Sequence, residues 1–192
     1  MPVSRFTGPV FLFVEDCSVM TTIAWDGSTL AADSQSQSGD VICSLSEAKI
    51  FKPKPGEEWT IYGEKVLALG TSGDCGAEME VMDLLRDGLS YKSQFLPTFS
   101  FTALLIISAG RAYIASKDKG ETSALISLQL DPYAIGSGGL IARTAMHLGR
   151  RAIEAVQTAI ELDLCSGGRV DSITFGATQA PFSIVQKSEQ TE

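Results

Sequence analysis

Thr21-Thr22-Ile23-Ala24-Trp25-Asp26-Gly27-Ser28-Thr29-Leu30-Ala31-Ala32-Asp33 is the stretch on which the fold turns. Thr21 to Trp25 and Ser28 to Asp33 alternate well enough for two strands, and Asp26-Gly27 between them is a strong signal for a tight hairpin. Working outward, Val41 to Ser44 and Ala48 to Phe51 suggest a second hairpin, ended by Lys52-Pro53-Lys54-Pro55-Gly56, and strands follow at Thr60 to Tyr62 and Lys65 to Leu69. After Gly70-Thr71-Ser72-Gly73 the period changes. Ala77, Met79, Val81, Met82, Leu84 and Leu85 mark an amphipathic helix that stops near Gly88.

A block of strands comes next, at Phe101 to Ser108, Arg111 to Ser116 and Ser123 to Leu130. Gly136-Ser137-Gly138-Gly139 introduces a helix over about Leu140 to Leu148, and a third helix runs from Arg151 to about Leu162, with Ile153, Val156 and Ile160 spaced three and four apart. The last strands are read at Val170 to Phe175 and Phe182 to Val185, before a polar tail from Gln186 to Glu192. This order predicts an α+β fold. Its most economical form is a four-layer αββα sandwich, two antiparallel sheets flanked by helices.

The bulk properties narrow the class. A chain of 192 residues, 44% apolar and 20% charged, has the profile of one globular domain with a full-sized core. No stretch approaches the ~20 apolar residues of a membrane-spanning helix. A net charge of −8 with no block of Lys and Arg argues against a nucleic-acid partner. Cys17, Cys43, Cys75 and Cys165 lie far apart with no C-x-x-C pair, which points to free thiols in a reducing compartment, here the cytoplasm. His147 is the only histidine, so a two-His metal site is excluded and a Ser-His-Asp hydrolase disfavoured.

Thr21-Thr22-Ile23, Ala32-Asp33, Lys49-Ile50, Gly73, Ile135-Gly136-Ser137-Gly138-Gly139 and Asp163-x-x-Ser166-Gly167-Gly168 together resemble the proteasome β-subunit and bacterial HslV family of N-terminal nucleophile hydrolases. The resemblance covers Thr21 to about Phe175. It implies a threonine endopeptidase that forms homo-oligomeric rings, takes unfolded polypeptide and uses neither metal nor organic cofactor. A separate ATP-dependent unfoldase is the partner it implies, since no Gly-Lys-Ser/Thr follows the glycines at 136 to 139.

The resemblance also assigns roles. Thr21 would supply the hydroxyl and, once freed, the α-amine, whose pKa of ~7.7–8.0 suits a base. Lys49 would be a nearby cation that disfavours protonation of that amine, with Asp33 as its partner. Gly73 would give the oxyanion hole through its N–H, and Ser137, Asp163 and Ser166 would orient the amine and a water. Gly73-Asp74-Cys75-Gly76-Ala77 departs from the family's wording, and Cys75 falls near the expected substrate pocket.

Thr21 is not at the N-terminus, and a peptide bond to Met20 removes the base. Residues 1–20 are therefore a removable leader, a structural arm, or the result of a start placed ahead of Met20, with 21–192 as the single hydrolase domain. Taken one at a time the same residues have plainer readings. Asp33 and Lys49 could be a surface pair, Asp163 and Ser166 a helix end, and Cys43 and Cys75 small core residues. Two other functions stay open: a non-proteolytic amidohydrolase on the same fold, and a silent scaffold or assembly protein with Thr21 blocked.

Overall fold

The computed structural model describes residues 18–176, so the expected strand at 182–185, the polar tail and Cys17 lie outside the described residues. A short strand β1 (Ser18–Val19) leads into the expected hairpin, β2 (Thr22–Trp25) and β3 (Thr29–Ala32). Asp26 explains why the turn forms there: its carboxylate accepts the Ser28 and Thr29 N–H groups at 2.9 and 2.8 Å. It also accepts the Ala152 N–H at 3.0 Å, tying the turn to the start of the third helix.

The chain continues through β4 (Ser36–Ser38), β5 (Val41–Ser44), β6 (Ile50–Phe51), β7 (Thr60–Ile61), β8 (Glu64–Lys65) and β9 (Ala68–Asp74) to the helix α1 (Ala77–Asp87). Then follow β10 (Phe101–Ser108), β11 (Arg111–Lys117), β12 (Leu125–Gln129), β13 (Tyr133–Gly136), α2 (Gly139–His147), α3 (Ala152–Leu162) and β14 (Asp171–Thr174). One sheet has the order β1-β9-β10-β11-β12, with β6 also on β9, and the other is β13-β2-β3-β14. Pairing within both is antiparallel.

Three departures from expectation have physical causes. Val41 to Ser44 does not pair with the strand at 50–51: β5 folds back on β4, and β6 joins β9 instead. The strand expected to end at Leu69 runs on to Asp74. Gly70 does not break it, because a Cβ there would fall 2.9 Å from Ile23 Cγ2; glycine is what lets β2 approach. Finally β13, which the glycine run after it disguised as a loop, is held by pairing with β2 and by burial of Ala134 and Ile135.

Strand alternation divides the core into three clusters. Ala77, Val81, Met82 and Leu85 of α1 pack with Ala103, Leu105, Tyr113 and Ala115 of the large sheet. The intervening residues Leu104, Ile106 and Ala112 meet Ile23, Trp25, Leu30 and Ala32 of the smaller sheet. Ala24, Ala31 and Ala134, on the other face of that sheet, lie against Ala142 and Ala145 of α2 and Ala152, Ala155 and Val156 of α3. The chain is thus mixed α and β, with several antiparallel sheets and few helices, compatible with the α+β class. No helix among the described residues is long and apolar enough to cross a membrane.

Candidate active site

Thr21 sits at the step between β1 and β2, and the hairpin register brings Asp33, just past β3, back beside it. The Asp33 N–H donates to Thr22 O at 3.1 Å, which fixes the crossing of the two strand ends. Lys49 immediately precedes β6 and is anchored through its carbonyl, which accepts the Thr71 N–H of β9 at 3.1 Å. Three elements distant in sequence therefore converge on one point.

At that point Asp33 Oδ1 accepts the Thr21 hydroxyl at 2.5 Å, the Lys49 ammonium at 2.8 Å and the Thr22 N–H at 2.8 Å. Its Oδ2 accepts the Gly167 and Gln35 N–H groups at 2.9 and 3.2 Å. Thr21 is 0% exposed, Asp33 1% and Lys49 2%, so this is no surface pair. A carboxylate buried this far survives as a charge only because donors fill it. Among the described residues the Lys49 ammonium makes one further hydrogen bond, to the carbonyl oxygen of Met20 at 3.3 Å.

A second network lies on the far side of Thr21. Ser137 Oγ is 2.8 Å from Asp163 Oδ2 and 3.3 Å from Thr21 O. Ser166 donates to the same Asp163 oxygen at 2.6 Å, so in its 2.7 Å contact with Thr22 Oγ1 the Thr22 hydroxyl must be the donor. These side chains grip the Thr21 carbonyl and the Thr22 hydroxyl. Among the described residues no hydrogen bond joins Ser137, Asp163 or Ser166 to the Thr21 nitrogen, which here is the amide of the Met20–Thr21 bond. Gly73 pairs with Val19 across β1 and β9, flanking the segment that enters Thr21.

Thr22, Gly136 and Gly138 stand in the motifs quoted above without a role of their own, and Gln35 stands in none of them. The Thr-Thr pair and the Gly-x-Gly-Gly run were the available signals: a Cβ at Gly136 would fall 2.0 Å from Thr21 O, and one at Gly138 2.0 Å from Thr22 Oγ1. Gly138→Ala is accordingly expected to destabilise the fold by about 1–3 kcal/mol, the scale of overpacking. Gly176→Ala, where a Cβ meets nothing within 4 Å among the described residues, is expected to melt with the wild type. Equal thermal melts for the two variants would contradict this packing.

Cys43 and Cys75, expected in the core, are both exposed. Cys43 lies on β5, the outer strand of the β4-β5 ribbon, whose Val41 and Ile42 are also exposed. Cys75 lines a cleft with Glu47, Lys49, Thr71 and Glu78. His147 ends α2 rather than lying within it.

Burial pushes the Lys49 ammonium below its ordinary 10.5, and the Asp33 carboxylate, the main opposing influence, does not fully offset this. Between that lowered value and 10.5 the unfolded chain binds the proton that the folded chain has lost. Stability owed to Lys49 therefore rises with pH across the window. Wild-type unfolding free energy measured towards pH 10.5 is expected to show this rise relative to Lys49→Met; parallel curves would contradict it.

No protein-family model matches the chain, and neither does any curated protein. Solved structures do. Thiobacillus denitrificans BPH in complex with epoxomicin aligns with a TM-score of 0.52 at 18% identity, over 80% of this chain and 96% of that chain. Thiobacillus denitrificans BPH aligns with a TM-score of 0.50 at 17% identity, over the same shares. At such identities the likeness is one of fold, and the chain shares the fold of these proteins over four fifths of its length.

Proposed function

We propose that this chain is a threonine-type endopeptidase subunit of the proteasome β-subunit and HslV kind, with Thr21 as nucleophile once its α-amine is exposed. The observation that carries the reading is the buried Thr21–Asp33–Lys49 cluster. A hydroxyl 2.5 Å from a carboxylate that also holds an ammonium is a polarised hydroxyl, and burial removes competing water. The three core clusters support the four-layer αββα arrangement as its architecture.

The same geometry accounts for exposure of Thr21. Lys49 polarises the Met20 carbonyl, and the Thr21 oxygen attacks its carbon as the hydroxyl proton passes to Asp33. The Met20 C–N bond then breaks with protonation of the nitrogen, which frees the threonine amine and leaves an ester; water hydrolyses the ester to a Met20 carboxylate and the Thr21 hydroxyl. In the matured protein that amine takes the hydroxyl proton, and the peptide substrate forms the corresponding ester. The domain would run from Thr21, work in the cytoplasm as a homo-oligomeric ring on unfolded polypeptide, and depend on a separate ATP-driven unfoldase for folded substrates.

Hydrolysis of fluorogenic peptides is expected from protein that begins at Thr21 and not from protein in which residue 20 stays attached. Epoxomicin, which the Thiobacillus denitrificans protein holds, is expected to inhibit it. Turnover of small amides without turnover of peptides would replace this reading with an amidohydrolase. The complete burial of Thr21 behind Met20 favours one further reading, a silent scaffold. A chain that stays uncut after assembly would establish that one.

A further inference from the structure

The residue on the acyl side of the Met20–Thr21 bond is itself gripped by the protein. Met20 Sδ accepts from Gln37 Nε2 at 3.3 Å, and that nitrogen also lies 3.1 Å from Gly39 O and 3.5 Å from Cys165 Sγ. Gln37 is 8% exposed and Gln35, beside it, 3%. Backbone carbonyls, which only accept, fix the sense of both amides. Leu164 O takes Gln35 Nε2 at 3.2 Å, the same nitrogen donates to Gln37 Oε1 at 2.9 Å, and Gly39 O holds Gln37 Nε2. The Gln37 amide nitrogen must therefore face Met20. A Cβ on Gly167 would fall 2.2 Å from Gln35 Oε1, so glycine there makes room for the relay.

Among the described residues, one N–H of this buried amide is satisfied by Gly39, while the other meets only sulfur, a weak acceptor. Release of Met20 takes away one of the two sulfurs. We infer that Gln37 is a specificity residue: in the matured protein its Nε2 donates to the side chain of the substrate residue on the acyl side of the scissile bond. The site then favours side chains with an acceptor where Met20 Sδ stands, glutamine and methionine over leucine. This rests on the reading of Thr21 as the nucleophile of a peptide hydrolase. The cleft lined by Glu47, Lys49, Cys75 and Glu78 is the rival seat for that side chain, and its carboxylates would favour arginine.

The test uses protein beginning at Thr21 and N-blocked fluorogenic peptides Ser-Val-X, with X as glutamine, leucine, methionine, norleucine, lysine or arginine. The first two positions copy Ser18 and Val19. We expect kcat/KM for glutamine to exceed that for leucine by about tenfold, the scale of one buried hydrogen bond. Methionine should exceed norleucine by about twofold, because sulfur accepts weakly. Gln37→Leu should bring the glutamine-to-leucine ratio to about one, and Gln37→Glu, which accepts but does not donate, should move the preference to lysine. The wild-type panel decides the matter even if a variant fails to fold. Equal wild-type rates for glutamine and leucine, or an arginine preference abolished by Glu47→Gln with Glu78→Gln, would overturn the role of Gln37 and leave the hydrolase reading standing. Absence of cleavage of every peptide would overturn both.

Discussion

Thr21→Ala is expected to reduce peptide hydrolysis by about 10⁴-fold or more, the scale on which loss of a nucleophile operates, and to leave the chain uncut at Met20. The fold should survive. Asp33 keeps Lys49 and the Thr22, Gln35 and Gly167 N–H groups when the hydroxyl goes, so the loss is one hydrogen bond, about 0.5–1.5 kcal/mol, and one buried methyl group, about 1 kcal/mol. Thr21→Ser retains the hydroxyl and removes only the methyl that packs towards Gly136. It is expected to lose no more than about 10- to 200-fold in activity, because a methyl group in a packed site is worth ~1–3 kcal/mol at most. Undiminished hydrolysis by the alanine variant would remove Thr21 from the chemistry altogether.

Lys49→Ala should be costly twice over. It abolishes the cation that polarises the Met20 carbonyl and that would hold the free amine unprotonated, so both self-cleavage and peptide turnover are expected to fall to background. It also leaves Asp33 buried without its counter-ion, a loss of about 3–5 kcal/mol in unfolding free energy. A double variant separates the two effects. Lys49→Met with Asp33→Asn removes both charges, and neutral replacement of a buried pair is often close to neutral in stability. The double variant is expected to recover only part of the stability, because the amide NH2 that replaces one carboxylate oxygen cannot accept the N–H groups of Thr22 or of Gln35 and Gly167, and none of the activity. Recovery of activity would mean that the pair serves the fold alone.

The parts of the molecule that were legible in the sequence are those governed by local chemistry. Asp26-Gly27 announced the hairpin because the carboxylate caps the turn it belongs to. Gly88 announced the end of α1 because the helix closes there in a left-handed conformation, φ 91°. Thr21, Asp33 and Lys49 could be grouped because a hairpin carries Asp33 back to Thr21, and family resemblance supplied the lysine. Features that depend on distant neighbours were hidden. Gly70 reads as a break until Ile23 is seen against it, and Tyr133-Ala134-Ile135 reads as a loop until β2 is there to pair with. Thr22 was overlooked because its hydroxyl is directed by Ser166, far along the chain. Gln35 and Gln37 look like polar loop residues in isolation; only their burial against Leu164, Gly39 and Met20 gives them a direction.

The most direct measurement is the intact mass and N-terminal sequence of protein expressed from Met1, taken before and after assembly and beside the Thr21→Ala variant. The wild-type chain is expected to begin at Thr21 and the variant to keep residue 20. A wild-type chain that hydrolyses peptides while Met20 remains attached would contradict it, because the amine on which the chemistry depends would never have been free.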